Sequence, residues 1–150
     1  MSDTTEQTHH RSNDELATEA KSLLSNLLSQ KEPLKPKQRL AIPVQEMPAQ
    51  DPVVRRRNMS EVATGYTAEQ ARLESMRCLQ CKNAPCVAGC PVRINIPAFL
   101  AAAAEGDFKK SIGIIKQSSL LPAVCGRVCP QEVQCQLNCT VGKSLKSVDK

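Results

Sequence analysis

Two runs decide how this chain folds: CLQCKNAPCVAGCP, from Cys78 to Pro91, and CGRVCPQEVQCQLNC, from Cys125 to Cys139. Between them they hold all eight cysteines of the protein. The first group is Cys78, Cys81, Cys86 and Cys90, with Pro91 directly after; the second is Cys125, Cys129, Cys135 and Cys139, with Pro130 directly after Cys129. A cysteine-free span from Pro91 to Val124 separates them, and its pattern is helical. Each group is compact, so folding must bring the two together around metal.

Working outward, the composition explains why such a staple is needed. The chain has 150 residues, no Trp, one Tyr (Tyr66) and two Phe (Phe99 and Phe108). A core so poor in large side chains needs covalent or metal support. Ten prolines and six glycines call for many turns, and alternating β-branched runs are scarce. The expected class is all-α, a small helical domain organised around two cysteine loops, with an N-terminal helix and an extended Pro-rich linker.

Residues 1–12 read as a disordered tail, polar and low in apolar content. Its His9–His10 pair has no third ligand nearby and reads as solvated. Ser12 to Glu15 fits a capping box and opens an amphipathic helix over 13–30, with Leu16, Ala20, Leu23, Leu24, Leu27 and Leu28 along one face. That face either packs on its own domain or docks a partner. Over 31–58, five prolines and the Arg55–Arg57 run suggest a basic, extended linker. The metal-holding domain is placed at 59–143, and 144–150 as a tail leading toward a further domain. Within it, Thr67 and Gln70 cap a helix that delivers Cys78. Pro97 opens a helix closed by Gly106, and Asp107 caps the next, with Phe108, Ile112 and Ile115 on one face. Pro130 suits a short helix that would project Cys135 and Cys139 from one side.

The net charge of +5 is acidic over 1–30 and basic beyond. Nucleic-acid binding would need a denser basic patch with stacking aromatics, and those are missing. No run has signal-peptide or membrane-span character, so a cytoplasmic location is expected. In a reducing compartment, thiols in this pattern bind metal rather than pair as disulfides. Iron-sulfur chemistry suits the spacing, because the bacterial ferredoxin run CxxCxxCxxxCP also ends in a cysteine followed by proline, and that cysteine serves the other cluster. Structural zinc usually takes paired CxxC knuckles or histidines. This chain has one CxxC and no histidine after His10, although a zinc-stapled helical interaction module stays open as the alternative. Gly142-Lys143-Ser144 resembles the end of a phosphate-binding loop, but Leu137 stands where that loop needs glycine. No nucleophile, base and orienting acid come together, so no catalytic site is expected in this chain alone.

The segments MRCLQCKNAPCVAGCPVRINIPAFL and SLLPAVCGRVCPQEVQCQLNCTVGK, with PAQDPVVRRRNMSEVATGYTAEQA upstream, resemble the N-terminal iron-sulfur domain of the NADPH-dependent glutamate synthase small (beta) subunit family. Its relatives include ferredoxin-NADP transhydrogenase large subunits, sulfide dehydrogenases and dihydropyrimidine dehydrogenase. The likeness runs from about Pro48 to Lys143 and leaves the first forty residues unexplained. It implies an α-helical, ferredoxin-type domain with two [4Fe-4S] clusters that relays electrons between a flavin and a partner. FAD and NADPH would sit in downstream domains, and the glutamate synthase large subunit or another redox subunit would be the partner. The chain is therefore expected to be the N-terminal part of such an oxidoreductase, or a standalone homologue. The resemblance assigns Cys78, Cys81, Cys86 and Cys139 to cluster 1, and Cys90, Cys129 and Cys135 to cluster 2. It implies that Cys125 is not the fourth ligand of cluster 2, which would be an acidic or amide side chain beyond Lys150. The spacing of Cys125 and Cys129 keeps Cys125 open as a ligand.

Overall fold

Helix α1 (Asn13–Leu28) begins with the capping box that the sequence predicts. The Glu15 N–H donates to Ser12 Oγ at 3.2 Å, and the Ser12 N–H donates back to Glu15 Oε2 at 2.7 Å. Leu16, Ala20 and Leu24 form its buried stripe. That stripe faces helix α4 (Ala68–Met76), so α1 packs on its own domain. The computed structural model describes residues 11–30 and 32–150, which leaves the His9–His10 pair and most of the expected tail outside the described residues. Among the described residues the structure is helical without a β-strand, save one isolated bridge between Ala49 and Ala63. The fold is all-α, as expected.

Much of the segment read as an extended linker, residues 34–50, is instead folded onto the domain, while residues 51–58 with the Arg55–Arg57 run are exposed. Pro36 and Pro52 do not break helices; they open two short ones, α2 (Pro36–Ala41) and α3 (Pro52–Arg55). In a first turn the missing N–H of proline has no intrahelical partner to lose, and its fixed φ already suits the helix. Ile42, 4% exposed, then enters a core with Ala20, Leu24, Leu73 and Met76.

Helix α4 carries its own capping box, Thr67 with Gln70. Downstream, α5 (Pro85–Ala88) is a single turn, and α6 (Ile96–Glu105) and α7 (Phe108–Lys116) form the expected hairpin. Gly106 closes α6 at φ +88°, a left-handed conformation that glycine adopts without Cβ strain, and Asp107 caps α7. Ser111 Oγ donates to the Phe99 carbonyl at 3.0 Å, and Arg72 Nε to the Ala104 carbonyl at 3.1 Å. Those bonds join α7 to α6 and α6 to α4. The order of packing is α1 on α4, α4 on α6, α6 on α7.

One buried ion pair ties the ends of the domain to α4. Glu74 and Arg77 bond to each other with side chains only 3% and 2% exposed. Arg77 also donates to the carbonyls of Lys146, at 2.6 Å, and Ser147, at 3.3 Å. Glu74 accepts the backbone N–H of Gln45 at 3.0 Å and of Asp149 at 2.9 Å. The backbone of residues 146–149 is therefore held against α4, and Val148 is 1% exposed in the main core. Its partner residues cannot be read locally in the sequence, because a single Val among polar residues has no period. Replacing Glu74 by Ala would leave Arg77 buried without its counter-charge, at an expected cost of about 3–5 kcal/mol. Urea unfolding of the metal-loaded protein measures this, and a loss below about 1 kcal/mol would contradict the clamp.

Candidate metal centre

Each cysteine is placed by a local device that its neighbours supply. Helix α4 ends at Met76, and Arg39 Nη1 donates to the carbonyls of Met76 at 3.1 Å and Cys78 at 3.0 Å, fixing the first cysteine from the α2 side. Gln80 then turns the chain back toward Cys81 with φ 53°, a conformation unfavourable for a non-glycine residue and held here by its surroundings. Cys86 sits within α5, and Arg93, at φ 51°, makes a second such turn just after Cys90 and Pro91. In the second run, Pro122 opens α8 (Pro122–Val128), which carries Cys125 and ends at Cys129. The short helix expected after Pro130 is only a 3-10 turn, Gln131–Val133. Gln134, at φ −117° and ψ −106°, leaves helical space, so Cys135 and Cys139 project from irregular chain instead of one helical side.

The thiols do not gather by sequence group. Cys78, Cys81 and Cys86 line one cavity together with Cys139, between walls that include Leu79, Pro97, Val141 and Val148. Cys90 lines a wider cleft with Cys125, Cys129 and Cys135, beside Ile94, Phe99 and Ile115. One cysteine from each run has changed sides. The exchange is possible because the runs touch where a side chain is lacking: a Cβ on Gly89 would meet Asn138 Nδ2 at 2.5 Å and the Gln134 carbonyl oxygen at 2.9 Å. Asp149 holds the second run from behind. Its carboxylate accepts from Gln131 Nε2 at 3.0 Å, Gln136 Nε2 at 2.8 Å and the Tyr66 hydroxyl at 2.9 Å. No spacing rule in the sequence points to Asp149, because its partners are brought to it only by the fold.

All eight cysteines are free thiols, with Cys78, Cys86, Cys135 and Cys139 buried and Cys125 and Cys129 exposed. Burial pushes the thiols of Cys78, Cys86 and Cys135 up in pKa. Burial acts on Cys139 in the same direction, but backbone N–H groups of Val148, Val141 and Gly142, with the Lys150 charge, outweigh it and hold that thiol below its usual range. The Cys81 thiol donates to Thr140 Oγ1 at 3.4 Å and the Cys129 thiol to Gln134 Oε1 at 3.1 Å. Ser119 Oγ donates to Cys125 Sγ at 3.6 Å.

Among the described residues, no three His, Cys, Asp or Glu side chains are grouped closely enough to share one metal ion. Four thiols face each of the two sites. Soft thiolate donors in a largely apolar wall suit iron-sulfur clusters or zinc.

A small helical domain in which two cysteine runs exchange members around two thiol-lined sites has the form of an iron-sulfur electron carrier. The chain belongs to the family described as dihydropyrimidine dehydrogenase domain II, 4Fe-4S cluster, whose model matches residues 55–149. It is therefore a 4Fe-4S cluster domain of oxidoreductase type. Among its relatives is the glutamate synthase [NADPH] small chain of Azospirillum brasilense, 34% identical over 101 residues, which cover 67% of this chain and 21% of the relative. The same subunit of Escherichia coli strain K12 is 36% identical over 95 residues, 63% of this chain and 20% of the relative. The NAD-dependent dihydropyrimidine dehydrogenase subunit PreT of Salmonella typhimurium is 36% identical over 91 residues, 61% of this chain and 22% of the relative. The chain thus spans about a fifth of the length of these relatives. Among the described residues no helix is long and apolar enough to cross a membrane.

The close approach at Gly89 makes a direct test. Gly89→Ala should force the Gln134 backbone away and separate the runs, costing about 1–3 kcal/mol and lowering iron content after anaerobic loading. Parent-like stability and iron content in this variant would show that the contact is not needed.

Proposed function

We propose that this domain carries two [4Fe-4S] clusters and relays electrons between a flavin- and NAD(P)H-binding domain and a partner redox subunit, as in a glutamate-synthase-type oxidoreductase. Cluster 1 is held by Cys78, Cys81, Cys86 and Cys139, and cluster 2 by Cys90, Cys129 and Cys135. The observation that carries this reading is the exchange of Cys90 and Cys139 between the two thiol-lined sites. When bound, such clusters take up and release single electrons.

The protein's own contribution is placement, exclusion of water and hydrogen bonding. Leu79, Pro97, Val141 and Val148 cover the first site with apolar surface. Arg39 and the Gln80 turn set the backbone around Cys78 and Cys81. Thr140 and Gln134 offer polar contacts to Cys81 and Cys129, the kind of surrounding contact that tunes ligand basicity and cluster potential. Cys125 lines the same cleft as Cys90, Cys129 and Cys135 and is left out of the ligand set on the resemblance alone. The fourth position of cluster 2 is then assigned to an acidic or amide side chain downstream, following the resemblance.

Paired substitutions separate crossed from sequential ligation. Under the crossed scheme Cys139→Ala loses about half the iron, Cys78→Ala with Cys139→Ala loses no more, and Cys135→Ala with Cys139→Ala loses nearly all, since interacting sites are non-additive. Iron and sulfide analysis reads each outcome, and the reverse ranking of the two double variants would sink the scheme. Cys125→Ser should keep parent iron content. Colourless protein with stoichiometric zinc would favour the metal-stapled module instead.

Metal removal should also unfold the site. Four of the eight buried members of the main core are cysteines, Cys78, Cys86, Cys135 and Cys139, so metal-binding energy is also folding energy here. Hydrogen exchange on chelated protein is expected to show lost protection over residues 78–91 and 125–141, with α6 and α7 retained. Equal protection with and without metal would contradict this.

A further inference from the structure

Lys150 occupies a position that the ligand scheme does not use. Its side chain stands in the wall of both thiol-lined sites, partly buried, with Nζ 3.4 Å from the Cys135 carbonyl oxygen. Its backbone is fixed as well. The Lys150 N–H donates to Asp149 Oδ1 at 3.1 Å, and Asp149 is itself bound by Tyr66, Gln131, Gln136 and Glu74. The preceding Val148 is locked in the core at 1% exposure. A surface lysine usually moves freely in water, whereas this ammonium is delivered between the two cysteine groups by a buried anchor.

We infer that Lys150 is a shared electrostatic residue that raises the reduction potentials of both clusters together. The inference rests on the two-cluster reading above. A cluster on thiolate ligands carries net negative charge, and each added electron increases it, so a fixed nearby cation favours the reduced form. A cation facing one site would change the difference between the two potentials. One facing both shifts them together and leaves their difference nearly unchanged.

The test is potentiometric titration of the anaerobically loaded protein, followed by EPR, for the parent, Lys150→Gln and Lys150→Arg. In Lys150→Gln both midpoints should fall, with the reduced-to-oxidised ratio at a fixed potential dropping about tenfold, equivalent to about 59 mV for a one-electron couple. Lys150→Arg should stay near the parent. A fall in only one midpoint, in neither, or equally in both variants would overturn the inference. So would loss of iron from Lys150→Gln, which would reduce Lys150 to a brace for the Cys135 loop. A parent that shows only one cluster signal would instead overturn the two-cluster reading, so the two failures are distinguishable.

Discussion

The structure depends on the crossing of two cysteine runs at Gly89. A chain with two phenylalanines, one tyrosine and no tryptophan cannot build a large apolar core. Half of the buried residues in its main core are cysteines, and these come from both runs. Closing each run on itself would produce two small loops with little between them. Because Cys90 and Cys139 change sides, each site joins distant parts of the chain, and the hairpin of α6 and α7 is held across the gap. The space for this exists only because Gly89 lacks a side chain where Gln134 and Asn138 pass.

A second, metal-independent system supports the first. The Glu74–Arg77 pair reaches Gln45 on one side and Lys146, Ser147 and Asp149 on the other. Asp149 extends it to Gln131 and Gln136, both within the second run. Helix α4 therefore organises both runs: its end presents Cys78, and its buried charges position the segment that braces Cys135. Burying such a pair gains little net stability, but removing one partner is costly, so its value here is in geometry.

Much of this was legible in the sequence, for local reasons. Ser12 with Glu15, Thr67 with Gln70, and the Gly106–Asp107 junction are capping signals complete within a few residues, and the helices begin and end there. Cysteine spacing and the following prolines pointed to iron-sulfur chemistry, and the family match agrees. What could not be read was non-local. Pro36 and Pro52 looked like breakers because a proline that opens a helix and one that stops it look the same without context. Val148, Asp149 and Lys150 carry no period or motif, yet the fold brings them to the core, the second run and the space between the two sites.

The most direct test of the crossed arrangement is a crystal structure of the anaerobically loaded protein with anomalous data at the iron edge. Two separate groups of four irons are predicted, one contacted by Cys78, Cys81, Cys86 and Cys139, the other by Cys90, Cys129 and Cys135. Anomalous density for single ions, or for clusters each bound by one uninterrupted cysteine run, would contradict it.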